Sequence, residues 1–161
     1  MKKFAALLLA LMMVLPMAAM AEDAFTSASV ANYYGQFGLT GDDLMNAVNS
    51  QSGCYIVNTT NPDGSPNAGY FIFAIKKLND KYYVQLGLAA NQSKANLEAN
   101  GNGLAVYSAN PTGEEGAKDY AVSGARIWFE AIEDQAVIDE LNKDARPGAM
   151  FFEIVEVRPL G

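Results

Sequence analysis

The sequence predicts an α+β domain, built on a small six-stranded antiparallel barrel-like sheet with short flanking helices. Two observations carry that prediction. Six short strand-like runs lie between residues 53 and 157, separated by turns rich in Gly, Pro, Asn and Asp. Helical patterns interrupt them only at residues 93–100 and 133–143, and a sandwich would leave those two helices without a role. No repeat or low-complexity linker divides the chain beyond its N-terminal leader.

The leader is read first. Lys2 and Lys3 precede an unbroken apolar run over residues 4–15, which Pro16 ends. Ala19-Met20-Ala21 then supplies the small-x-small pattern of a signal-peptidase site. The run is shorter than the ~20 residues of a membrane span. The expectation is a bacterial-type signal peptide over residues 1–21, cleaved, then a polar leader at 22–39 and one domain at 40–161. The mature protein would start at Glu22 and work outside the cytoplasm, in the periplasm or secreted, with no membrane association after cleavage.

Within the domain, Thr40-Gly41-Asp42-Asp43 reads as a helix start, with Leu44, Ala47 and Val48 as its apolar stripe and the acids suited to the helix dipole. Residues 53–58 form the first strand, and Asn61-Pro62-Asp63-Gly64-Ser65-Pro66 a turn. Residues 70–75, an Asn79-Asp80 turn and residues 82–88 extend this into a meander. Ser93 is placed to cap a helix over 93–100, which Gly101-Asn102-Gly103 ends. A strand at 104–108 and a polar loop at 110–116 follow, then a long strand at 122–131 with Trp128 and Phe129. The second helix carries Ala136, Val137, Ile138 and Leu141 on its apolar side, and a strand at 151–157 closes the chain.

Composition excludes several chemistries. The net charge is −7 and becomes −9 once Lys2 and Lys3 leave with the leader, which disfavours nucleic acid and anionic membrane surfaces as partners. Any bound anion has to be held by a local cluster against that field. With no histidine, histidine triads, histidine-ligated zinc or haem and the usual neutral-pH base all drop out. No metal site is expected. Cys54 is the only cysteine, so no internal disulfide can form, and its strand context predicts a buried, inert thiol. Glu114-Glu115 and Glu130, Glu133 and Asp134 read as solvated surface, and most of the eight tyrosines sit where strand packing explains them.

The Asp63-Gly64-Ser65-Pro66 turn between two strands, the stretch Asn91-Gln92-Ser93-Lys94-Ala95-Asn96-Leu97-Glu98-Ala99-Asn100, and Val122-Ser123-Gly124-Ala125-Arg126 before the closing strand stand in a familiar order. Over residues 40–158 this order resembles the pyridoxamine 5′-phosphate oxidase-like family of FMN-binding split barrels. The flavin-reductase split barrels are a close second resemblance. The resemblance implies a six-stranded antiparallel split β-barrel, a homodimer, and FMN in a cleft at the dimer interface. It also implies contact between the flavin phosphate and the serine and lysine that precede the Asn-Leu helix, here Ser93 and Lys94. Asn91 and Gln92 beside them, and Asn67 and Tyr70 after the turn, complete the candidate cofactor contacts. No catalytic residue is assigned.

The chain departs from the family pattern in three places, one of them a gap from Lys94 to Asn100 that is about a residue shorter than is usual in the family. Where the family has a phosphate-gripping arginine, it reads Asn67-Ala68-Gly69-Tyr70, with no cation before Lys76. Lys118-Asp119-Tyr120 stands where a polar side chain commonly meets the flavin ring. With few cations to receive a second phosphate, oxidation of pyridoxamine phosphate itself is disfavoured. The functional expectation is an exported oxidoreductase using FMN for electron or hydride transfer; the alternative is a non-catalytic extracytoplasmic barrel that has lost or changed its cofactor and holds another small molecule.

Overall fold

The polypeptide crosses from one side of its sheet to the other in a single short step, and that step makes the sheet a barrel. The computed structural model describes residues 38–109 and 123–160. Helix α1 (Gly41–Asn49) leads into β1 (Cys54–Thr60), β2 (Pro66–Tyr70), β3 (Phe73–Leu78) and β4 (Lys81–Leu86). Helix α2 (Gln92–Asn100), β5 (Asn102–Ser108), β6 (Gly124–Ala131), α3 (Gln135–Asn142) and β7 (Met150–Arg158) follow. All pairings are antiparallel, in the order β2-β1-β5-β6-β7-β4-β3. The two edge strands are therefore β2 and β3, which only Phe71 and Ile72 separate. At about 3.6 Å per extended residue the joined ends of these edges, Tyr70 and Phe73, lie within roughly 11 Å, so the sheet curls on itself and leaves an unpaired seam there. That seam is the split in the barrel.

Two sequence expectations are corrected at this point. The strand expected at 70–75 is two strands, broken at Phe71-Ile72, so the sheet has seven strands rather than six. The expected meander is two hairpins, β1–β2 and β3–β4, at opposite edges. The Asn79-Asp80 turn holds, with both residues at positive φ as a two-residue hairpin of the favoured twist requires.

Alternation along the strands fixes the core. In β1, Tyr55, Val57 and Thr59 face inward while Cys54 is exposed at the strand's start, against the expected buried thiol. From α1, Leu44 and Val48 are buried, as the apolar stripe predicts, contributing ~1.5–3 kcal/mol each. The end of α1 is tied down by core tyrosines. The Tyr55 hydroxyl donates to the Val48 carbonyl at 2.6 Å, and the Tyr107 hydroxyl lies 3.0 Å from the Ala47 carbonyl. The same carbonyls also accept from the Gln51 N–H and the Ser50 hydroxyl, and the Tyr107 hydroxyl lies 2.8 Å from the Ser52 carbonyl, so the helix end is held from both sides. Burial pushes the Tyr55 phenol up to about 12, with Tyr107 and Tyr70 nearby adding to the shift. Asn49 clamps the open edge of β3 by donating to the Ile75 carbonyl and accepting from its N–H, both at 2.9 Å.

Helix α3 buries none of its residues fully, and Ala136 is exposed, so its expected apolar face is only a partial one. The strand expected from Val122 is described from Gly124. A side chain on Gly124 would run into the Tyr107 carbonyl and the Leu160 side chain, and Leu39 donates to the Gly124 carbonyl at 3.0 Å. The expected signal peptide, the leader up to residue 37, the loop at 110–116 with Glu114-Glu115, and Lys118-Asp119-Tyr120 lie outside the described residues.

Candidate functional site

Polar side chains are buried in one place among the described residues. Thr59, Ser93 and Asn96 are 5, 4 and 2 % exposed, and all three sit where the start of α2 meets β1 and β2. Burying such groups is costly unless they are hydrogen-bonded, and here they bond to one another. The Asn67 amide donates to Ser93 Oγ at 2.9 Å and to Thr59 Oγ1 at 3.0 Å. Asn96 donates to the same Thr59 oxygen at 3.0 Å and to Asn61 Oδ1 at 2.9 Å. Gln92 Nε2 donates to Asn96 Oδ1 at 2.7 Å.

The local sequence explains why these groups meet. Thr59 and Asn67 are cross-strand partners, brought level by the Asn61–Ser65 turn. Within the turn Asp63 accepts from the Ser65 hydroxyl at 2.6 Å and from its N–H at 3.0 Å, and these bonds hold the carboxyl below the usual range. On α2, Asn96 lies one turn beyond both Gln92 and Ser93, which brings it to the side of each.

The helix cap differs from the expectation. Asn91, not Ser93, is the N-cap, and its side chain accepts from the Lys94 N–H at 2.9 Å. Ser93 is freed from capping and turned inward to Asn67. Gly101 ends the helix at φ 68, as the glycine pair predicts.

Counting hydrogens shows what the cluster can do. Thr59 Oγ1 accepts two hydrogen bonds and Ser93 Oγ accepts one, so each hydroxyl keeps its own O–H to give. No described residue takes either one. The N–H groups of Gln92 and Ser93 belong to the first turn, which has no intrahelical acceptor, and the positive end of the helix dipole adds to them. Lys94 is one-third exposed, its ammonium 3.6 Å from Glu98. Hydroxyl and amide donors at a helix start with one nearby cation suit a phosphate-sized anion.

Five of the six sequence candidates are gathered here: Asn67, Asn91, Gln92, Ser93 and Lys94. Tyr70 is not. It lies out of phase with Asn67 on β2, is 57 % exposed, and meets the ring edge of Tyr55 at 6.4 Å. Sequence reading missed Thr59, Asn61 and Asn96. Thr59 carried a signal, since it ends a strand whose alternating positions point inward.

Thr59 also borders an open groove of about 430 Å³ on the sheet's outer face. Asn58, Leu104, Trp128 and Glu156 are consecutive cross-strand partners that form its floor. Arg126 and Arg158 lie over the Trp128 ring, at 5.8 and 5.1 Å from its centroid.

No protein-family model matches the chain, and no curated protein matches it in sequence. Solved structures do match. An FMN-binding protein from Syntrophomonas wolfei subsp. wolfei aligns at 13 % identity and TM-score 0.51, over 90 % of this chain and 97 % of that one. A variant of HupZ from Group A Streptococcus aligns at 16 % identity and TM-score 0.51, over 76 % of this chain and 100 % of that one. Seven antiparallel strands curled around a seam, with short flanking helices, give this chain the split-barrel fold that it shares with these solved structures.

Proposed function

We propose that the protein is an exported FMN-binding split barrel whose flavin serves electron or hydride transfer, with the cofactor phosphate held at the start of α2. The carrying observation is the buried cluster around Ser93, where two hydroxyl hydrogens and the leading amides of α2 have no acceptor among the described residues. In this reading Ser93 and the N–H groups of Gln92 and Ser93 hold phosphate oxygens, and Lys94 supplies the positive charge. Asn67 fixes the Ser93 side chain, and Asn91 fixes the helix turn that presents these donors. FMN, when bound, supplies the redox chemistry, so the lack of histidine is no obstacle. The resemblance adds a homodimer with a shared cleft.

The test is a titration of the purified mature protein with FMN, followed by flavin fluorescence. Saturable binding at micromolar FMN is expected; no binding there overturns the reading. Export is tested by the mass of protein taken from its own host, which should begin at Glu22. Dilution to monomer should release the cofactor if the cleft is shared. One observation favours the alternative, non-catalytic reading: β2 offers no cation beside Ser93. Native mass spectrometry of host-derived protein decides between the two, since a stoichiometric flavin rejects the alternative.

A further inference from the structure

A second groove, of about 530 Å³, lies between the ends of β6 and β7 and the start of α3. Its polar wall carries Lys81, Glu130, Glu133, Asp134 and Glu153, four carboxylates against one ammonium. Glu130 and Glu153 are directly opposite one another across β6 and β7, an arrangement that destabilises a sheet unless a positive charge intervenes. Lys81 neutralises only one of them, bonding Glu153 at 2.6 Å. Asp134 is partly engaged as the N-cap of α3, accepting from Ala136 at 2.9 Å. Glu130 and Glu133 form no ion pair with any described residue.

An acidic wall alone is ordinary surface in so acidic a chain, but Tyr83 sets this one apart. Its residue is 2 % exposed and lines the groove, yet its hydroxyl has no hydrogen-bond partner among the described residues. No buried side-chain oxygen among the described residues is left without a partner, so the Tyr83 hydroxyl is not fully enclosed and keeps some contact with solvent beside the groove that its residue lines. Burial, with Glu153 close by, raises its pKa although Lys81 opposes, which keeps the phenol neutral and able to accept. Ile132, Val137 and Val155 complete the wall with apolar surface, and Val155 is 51 % exposed.

We propose that this groove binds a small organic cation, an ammonium group carried on an apolar body. The ammonium would sit between Glu130 and the Tyr83 hydroxyl, with the apolar body on Val137 and Val155. A bare metal ion fits less well, because no three metal-ligating side chains converge among the described residues. The site is separate from the start of α2 and does not depend on flavin binding.

The experiment compares benzylamine, benzyl alcohol and benzoate by calorimetry and ligand-observed NMR on the purified protein. Benzylamine should bind about tenfold or more tightly than its neutral analogue, the scale of a charged hydrogen bond, and benzoate should not bind. Tyr83→Phe should weaken benzylamine while leaving thermal stability unchanged, because its hydroxyl holds nothing in the fold. Glu130→Gln should weaken it roughly two- to fivefold, the scale of an exposed ion pair. FMN titration should be unaffected in both variants. Equal binding of benzylamine and benzyl alcohol, no benzylamine binding, or unchanged affinity in both variants overturns the proposal.

Discussion

Helices α1 and α2 have the same length, nine residues, and both start on an uncharged residue ahead of a short polar turn. They are held by opposite means. α1 buries Leu44 and Val48, and its Val48 carbonyl accepts from the core Tyr55 hydroxyl. α2 buries Leu97 but also Ser93 and Asn96, and its inward side is a hydrogen-bonded polar cluster. An apolar contact would have anchored α2 at less risk, since a half-satisfied polar cluster costs stability. The difference separates a helix tied in by apolar burial from one whose inward side keeps hydroxyl donors free, which the proposed phosphate site would use.

The comparison breaks most sharply at Leu44. Leu44→Ala should cost 2–5 kcal/mol, approximately, in a denaturant titration, as for other deletions of buried leucine atoms, while FMN affinity in the folded protein stays unchanged. A fall in affinity matching the fall in stability would erase the division of labour. Next comes Lys94→Ala, which should weaken FMN by about 1.5–3 kcal/mol with stability nearly constant. Riboflavin, which lacks the phosphate, should bind the variant as it binds the parent. Equal loss for both ligands would remove Lys94 from the phosphate end.

Asn91→Ala tests the cap. It should cost about 1 kcal/mol of stability and also weaken FMN, because the helix turn that aims the Ser93 and Gln92 amides frays. A stability loss with unchanged FMN affinity would move the phosphate away from this helix end. A last test concerns α1 and alkaline pH. The Tyr55 phenol ionises near 12 in the folded protein, above its ordinary value of 10.0, so the folded state keeps the proton longer. The associated stability is fully present below pH 10 and is lost as pH rises towards 12. Alkaline melts should show that decline, and Tyr55→Phe should lessen it, the remainder coming from Tyr83 and Tyr107, whose pKa values burial also raises.

Much of the barrel was legible because period-two alternation and turn chemistry are local signals. Tyr55, Val57 and the Asn79-Asp80 turn announced themselves within a few residues. The break at Phe71-Ile72 did not, because residues 70–75 form a continuous apolar run and only long-range pairing divides it. Cys54 misled for a related reason: strand membership was right, but its place at the strand's first position put it outside. At the site, Ser93 and Lys94 were legible through their order ahead of a helix. Thr59 and Asn61 are 34 and 32 residues earlier than Ser93, and only the curl of the sheet brings them near α2. Asn91 and Ser93 compete for one capping role, and the inward pull of Asn67 on Ser93 decides it.

The seam between β2 and β3 carries a further consequence. Cutting the chain at Phe71-Ile72 would remove no strand pairing, since neither residue belongs to a ladder. Leu39 and Leu160, near the two ends of the described fold, both lie against Gly124. A circular permutant that joins those ends and begins at Phe73 would therefore keep all seven strands in register. The order in which the strands are read is thus separable from the barrel they form.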